Sequence, residues 1–247
     1  MTSLSPLELA YCAAVMLLAY GLRGSTGFGG AVGMPLLALV IPIKTLVPMW
    51  TLLGFASSVA ILGRDRRHVA RDDFVAFIPW CLLGVAVGLY FFKTLDAHTL
   101  ARGLGVLVLS YAGYSLWTAM RPPTSERRLP RVIGPVASTL SGVVGTLFGT
   151  MASVFFAMYL DARAPAKVQF RATMSAMLLT LSAVRGIGYF AAGEFTQEAW
   201  LMFAAAFPLM LAGIYIGDRI HVSLSEQTFR RLVCATLFLC GIPLLLK

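Results

Sequence analysis

Gly21-Leu22-Arg23-Gly24-Ser25-Thr26-Gly27-Phe28-Gly29-Gly30 sets an arginine beside a glycine-rich break inside an otherwise apolar run. A guanidinium in a bilayer costs about 2.5–3.5 kcal/mol even on lenient insertion scales, so it is usually kept for a partner or a substrate. The glycines let the helix unwind and free backbone N–H groups for the same ligand. This combination predicts an anion site in a small secondary carrier, with Arg23, Ser25, Thr26, Gly27, Gly29 and Gly30 as candidate substrate-binding residues.

Composition puts that break inside a membrane. Of the 247 residues, 58% are hydrophobic and only 13% charged, with a mean hydropathy of +0.80, more than a soluble globular domain of this length tolerates. Apolar stretches of about 20 residues recur along the whole chain, so a single polytopic domain over 1–247 is expected, with no room for a soluble one. The opening Met1-Thr2-Ser3-Leu4-Ser5-Pro6 lacks the basic start of a signal peptide, and the first helix is expected to be retained. A net charge of +9 would suggest nucleic acid in a soluble protein, but here the basic residues sit in short loops and act as orientation signals. The expected partners are therefore the lipid bilayer and a small anion, without nucleic acid; a homodimer is left open. Cys12, Cys81, Cys234 and Cys240 lie in apolar runs without metal-ligand spacing and read as buried reduced thiols.

The chain repeats itself. Gly84-Val85-Ala86-Val87-Gly88 recurs as Gly213-Ile214-Tyr215-Ile216-Gly217, and Thr99-Leu100-Ala101-Arg102 recurs at the same offset as Thr228-Phe229-Arg230-Arg231. Pro42-Ile43-Lys44 answers Pro165-Ala166-Lys167, and the break after Gly24 answers Ser141-Gly142-Val143-Val144-Gly145-Thr146-Leu147-Phe148-Gly149. The first repeat spans about 1–120, a cytoplasmic linker about 121–131, and the second repeat about 132–247. Each reads as a glycine-broken segment followed by three ordinary helices: 7–43, 45–63, 74–92 and 101–118, then 132–160, 173–191, 199–216 and 232–246.

Charge decides orientation, because Lys and Arg in short loops mark the cytoplasmic side. The loop with Arg64, Arg66, Arg67 and Arg71 has as its repeat counterpart Ala192 to Glu198, which holds no basic residue and carries Glu194 and Glu198. Equivalent loops thus fall on opposite sides, which predicts inverted-topology repeats with substrate at the midplane between them. For this parity each broken segment returns to the side it entered. The stretch 132–160 is too short for two crossings, so two part-length, re-entrant helices are expected there. The linker with Arg121, Arg127, Arg128 and Arg131, and the stretches with Arg163, Lys167 and Arg171 and with Arg219, Arg230 and Arg231, then all lie inside. The plasma membrane of a bacterium is the expected location.

These residues resemble the sulfite exporter TauE/SafE family of membrane permeases, also called the TSUP family, over nearly the whole chain. The most specific pieces are Arg23-Gly24-Ser25-Thr26-Gly27-Phe28-Gly29-Gly30 with Pro35, and Phe170-Arg171-Ala172-Thr173 followed by Val184-Arg185-Gly186-Ile187-Gly188-Tyr189. The resemblance implies a duplicated permease handling sulfite, sulfoacetate or related small organic anions, with export as the usual direction. It also raises the case for Arg171 as a guard of the inner mouth of the pathway. The family's second break usually carries more glycines, often followed by prolines; here it reads Gly149-Thr150-Met151-Ala152-Ser153.

Each candidate has a plainer alternative. Arg23 lies near enough to a helix end to snorkel, whereas Arg185 lies deep in an apolar helix where snorkelling is harder, which makes it the stronger site residue. Arg171 doubles as an orientation charge. Gly149 joins the site as the glycine of the second break. Ser25 and Thr26 either donate to an anion or back-bond to helix carbonyls. Ser57, Ser58, Thr180 and Ser182 read slightly better as packing residues. Gly84, Gly88, Gly213 and Gly217 form small-xxx-small packing pairs. Trp80, Trp117 and Trp200 read as interfacial anchors. His68, His98 and His221 fall in loops without ligand spacing, so no metal, cofactor or catalytic set is expected and the chain is not read as an enzyme. A proton carried with the anion would ride on the substrate or on a helix-end acid such as Asp161 or Asp218. A non-transporting membrane scaffold, with both arginines held by helix-end carbonyls, is the rival reading.

Overall fold

A backbone in hydrocarbon finds no water, so each apolar run must satisfy its own N–H and C=O groups as a helix. The computed structural model describes residues 5–26, 30–65, 69–119, 133–161, 167–219 and 226–246. Within these helices the side chains at 25, 26, 30, 31, 61, 63–65, 73, 118, 119, 133, 157–161, 167, 168, 170, 171, 218 and 226–233 are not described. The first half forms α1 (Pro6–Thr26), α2 (Gly30–Ala38), α3 (Ile43–Asp65), α4 (Arg71–Thr94) and α5 (Ala97–Ala119). The second forms α6 (Ile133–Phe148), α7 (Ala152–Asp161), α8 (Lys167–Ala191), α9 (Gln197–Arg219) and α10 (Glu226–Leu246). No strand occurs among the described residues.

Among the described residues, five helices are long and apolar enough to cross a membrane: α1, α3, α4, α8 and α9. Apolar side chains cover much of their outer surface; Leu18 is 67% exposed and Phe190 72%. Such a surface suits lipid, and the chain is an all-helical, polytopic integral membrane protein. Trp80, Trp117 and Trp200 are each about half exposed, consistent with anchoring, whereas Trp50 is 2% exposed and belongs to the core.

The helices run past the apolar limits expected from sequence, because a helix goes on satisfying its backbone until it clears the hydrocarbon. Thus α8 begins at Lys167 and takes Lys167 and Arg171 into its first turns. His98 likewise sits in the first turn of α5, not in a loop. The two breaks differ. The first follows the 21 residues of α1, about 32 Å and enough to span, while the second separates the 16 residues of α6 from the 10 of α7, about 24 Å and 15 Å, each less than a span. Residues 121–131, the linker, and Arg66, Arg67, His68, Arg163 and His221 lie outside the described residues.

The helix pairings come in couples. α1 packs on α9 and α4 on α6; α3 packs on α9 and α4 on α8; α3 packs on α8 and α5 on α10. Exchanging the two halves of the sequence carries each of these six pairings onto another or onto itself, whereas α2 packs on α10 without a comparable contact of α7 on α5 among the described residues. The same glycines make the two longest contacts. A Cβ on Gly84 would overlap the Thr139 carbonyl oxygen, and one on Gly142 the Cys81 carbonyl oxygen, closing α4 onto α6. A Cβ on Gly217 would overlap the Gly21 carbonyl oxygen, and one on Gly213 would lie 2.9 Å from Tyr20 Cβ, closing α9 onto α1. Pro79 and Pro208 each sit inside their helix five residues before the first of these glycines. The small-xxx-small pairs are therefore packing motifs, as their spacing predicts.

Candidate functional site

The helical period puts Trp50, Gly54 and Ser58 on one face of α3, and Leu178, Leu181, Ser182 and Arg185 on one face of α8. The two faces meet at Gly54. A Cβ there would lie 3.2 Å from Ser182 Oγ, a tight contact, and 3.6 Å from Arg185 Nη2, an ordinary one, so the missing side chain lets α8 approach closely at Ser182. From the last turn of α1, Arg23 Nη2 donates to Ser58 Oγ at 2.8 Å and reaches the Gly54 carbonyl oxygen at 3.5 Å. Two arginines remote in sequence thus arrive on either side of one glycine.

The second break completes the site. Gly149 and Met151 both take left-handed backbone conformations, φ 68° and 65°, and so turn the chain from α6 into α7. For Met151 that conformation costs about 1–2 kcal/mol, the sort of local strain that gathers at functional sites. The turn ends α6 inside the protein, where its last carbonyls need partners that water would supply elsewhere. The Gly145 carbonyl accepts from the Gly149 N–H at 3.0 Å and from Arg185 Nη1. The Thr146 carbonyl accepts from Tyr189 Oη. On the other side of the turn, Ala152 and Ser153 bring the amino end of α7 to the same place.

These groups border a partly open cavity of about 30 Å³. Arg23, Trp50, Gly54, Gly149, Thr150, Met151, Ala152 and Ser153 line it together with the four residues of α8. The cavity lies halfway along α3 and α8. Arg23 and Arg185 are only 9% and 4% exposed, and the Nε of each has no hydrogen-bond partner among the described residues. Their Nη groups bond to a hydroxyl and to carbonyls, and no carboxylate lines the cavity among the described residues. Two buried cations thus face one space with no acid to neutralise them among the described residues, an arrangement that is costly unless an anion enters. The positive end of the α7 dipole adds to the same field.

Of the residues predicted from sequence, Arg23, Gly149 and Arg185 come together at this cavity. Gly27 and Gly29 lie outside the described residues, as do the side chains of Ser25 and Thr26 and the surroundings of Gly30. The Arg171 side chain is likewise not described; its backbone lies fourteen residues before Arg185, about 21 Å along α8. The serine pairs separate. Ser57 back-bonds to the Gly54 carbonyl at 3.0 Å, the plain helical role, whereas Ser58 holds Arg23 and Ser182 lines the cavity. Thr180 faces an apolar groove with Cys81 and Val85. Sequence reasoning missed Trp50, Gly54, Ser153 and Tyr189. For Tyr189 a signal was present, since it lies one helical turn after Arg185. All four cysteines are free, with Cys81, Cys234 and Cys240 buried and Cys12 half-buried.

A family model described as Sulfite exporter TauE/SafE matches residues 12–244. No curated protein and no solved structure matches the chain.

Proposed function

The chain belongs to the sulfite exporter TauE/SafE family of membrane permeases, and from that premise we propose that it is a secondary transporter that carries sulfite, an organosulfonate or another small organic anion across the plasma membrane. The anion binds between two inverted repeats near the midplane, held by Arg23, Arg185 and the backbone amides at the start of α7. One observation carries this reading: two buried guanidiniums open onto one cavity with, among the described residues, no partner for either Nε and no carboxylate. An entering anion replaces its lost hydration with those donors. The exchange of helix pairings between the halves supports inverted repeats, because a pseudo-two-fold axis in the membrane plane would produce it.

The scaffold reading has its own support, since Arg185 Nη1 is held by the Gly145 carbonyl and Arg23 Nη2 lies near the Gly54 carbonyl. Flux separates the two. Purified protein in liposomes should move radiolabelled sulfite, a sulfonate or a small carboxylate in a saturable, protein-dependent way. Absence of flux for every anion in the panel, under either sign of gradient, refutes the permease and leaves the scaffold.

A further inference from the structure

Tyr189 stands one turn beyond Arg185 on α8, is fully buried, and does not line the cavity. Its ring packs on Phe92 of α4, with centroids 5.0 Å apart, and edge-on to Phe195 at 6.4 Å. Its hydroxyl donates to the Thr146 carbonyl of α6. One side chain therefore touches α8, α4 and α6. The last two already form a unit through the Gly84–Thr139 and Gly88–Thr146 contacts, where no side chain fits between them. Arg185 and Tyr189 cap consecutive carbonyls, Gly145 and Thr146, at the same helix end.

The two caps differ in what they have left to offer. The phenol has one proton and spends it on Thr146. The guanidinium has five donor hydrogens, and its bond to Gly145 leaves Nε unpartnered and Nη2 beside Gly54. We propose that Tyr189 is a positioning residue: its hydroxyl fixes the rotation of α8 against α6, and so holds the Arg185 guanidinium in the cavity with its free donors toward the anion. This rests on the permease reading of the cavity. Without the hydroxyl, the Thr146 carbonyl becomes a competing acceptor for Arg185. The guanidinium then turns toward the α6 end to serve both carbonyls, and the cavity loses positive charge without losing the residue.

Two measurements test it. In a background lacking Cys12, Cys81, Cys234 and Cys240, Ser153→Cys reports the cavity by its relative rate of modification with an anionic and a cationic methanethiosulfonate. The tyrosine-containing protein should favour the anionic reagent. Tyr189→Phe should shift the ratio toward the cationic reagent, while 4-aminophenylalanine at 189, which keeps a donor in place, should restore it. In proteins with Ser153 intact, Tyr189→Phe should raise the KM for sulfite efflux about tenfold, the worth of one hydrogen bond, with the maximal rate little changed. An unchanged ratio together with an unchanged KM overturns the proposal, as does a fall in maximal rate alone. If Tyr189→Phe does not accumulate, Phe92→Leu, which frees the ring but keeps the hydroxyl, should move the ratio in the same direction; no movement there also overturns it. A parent protein without anionic preference sinks the cavity reading itself. A parent with that preference but no sulfite flux removes only sulfite as substrate, and the modification ratio still decides the role of Tyr189.

Discussion

At the scale of single residues, Arg185 does two things at once: it ends a helix and it faces the cavity. Arg185→Gln keeps an N–H donor, on a shorter side chain, and removes the charge that offsets anion dehydration. We expect flux to fall about tenfold to a hundredfold, the worth of a charge-assisted hydrogen bond, with insertion and melting behaviour retained. Normal flux and affinity in this variant would make Arg185 a structural ion. Arg171→Gln, about 21 Å away along α8, should do less damage. Lys93→Gln, on the exposed last turn of α4, should be nearly silent in the same assay. Gly54 gives a prediction of opposite sign in two measurements. Alanine is better in a helix than glycine by about 1 kcal/mol, so Gly54→Ala should hold or raise thermal stability. Its Cβ, 3.2 Å from Ser182 Oγ, should still lower flux several-fold by displacing Ser182 at the cavity wall. Loss of stability without loss of flux would contradict the assigned role of Gly54.

At the scale of helices, backbone proximity governs which pairs act as rigid bodies. In lipid the hydrophobic effect does not drive helices together, so close approach through small residues carries the attraction. Gly84→Ala places a methyl group against the Thr139 carbonyl and should lower stability by about 1–3 kcal/mol, the usual cost of overpacking, measured as the thermal midpoint in detergent. Gly113→Ala, on α5, meets nothing within 4 Å and should be neutral or stabilising by up to about 1 kcal/mol. Equal effects at the two positions would mean that the α4–α6 crossing is looser than described. The broken pair α6–α7 follows a different rule. Its turn is held by left-handed Gly149 and Met151 and by donors from α8, so its shape depends on a helix from elsewhere in the chain.

For the whole molecule, the proposed inversion of the halves is testable without knowing the substrate. Single cysteines placed at Val69 or Ala70 and at Gly193, in a cysteine-free background, should label from opposite faces of the membrane. Labelling from one face refutes the inversion. The membrane potential supplies a second test. An anion moving alone gains about 2.3 kcal/mol per charge per 100 mV, so an inside-negative potential should speed efflux and slow uptake. Flux indifferent to an imposed potential would instead require a compensating ion, such as a proton carried on the helix-end acids Asp161 or Asp218.

The apolar runs by themselves placed the helices in their order, because hydrocarbon thickness demands a stretch of given length whatever its neighbours are, but not their number: among the described residues five helices have spanning length and apolarity, α1 among them. Expected limits of 74–92 and 199–216 stand against observed helices 71–94 and 197–219, short only by the polar turns beyond the lipid. Arg23 and Arg185 were legible too, since a charge in apolar sequence stands out on cost alone. What the sequence left undecided was facing. A helix in lipid is apolar on nearly every side, so its pattern does not tell the protein side from the lipid side, and Ser57 and Ser58 looked alike. Only packing showed that Ser58 holds Arg23 while Ser57 bonds within its own helix. Only packing brought both guanidiniums to Gly54, and Tyr189 to the open end of α6. Those contacts join residues far apart in the chain, and they exist because a helix that ends inside the membrane must borrow its last hydrogen bonds from another helix.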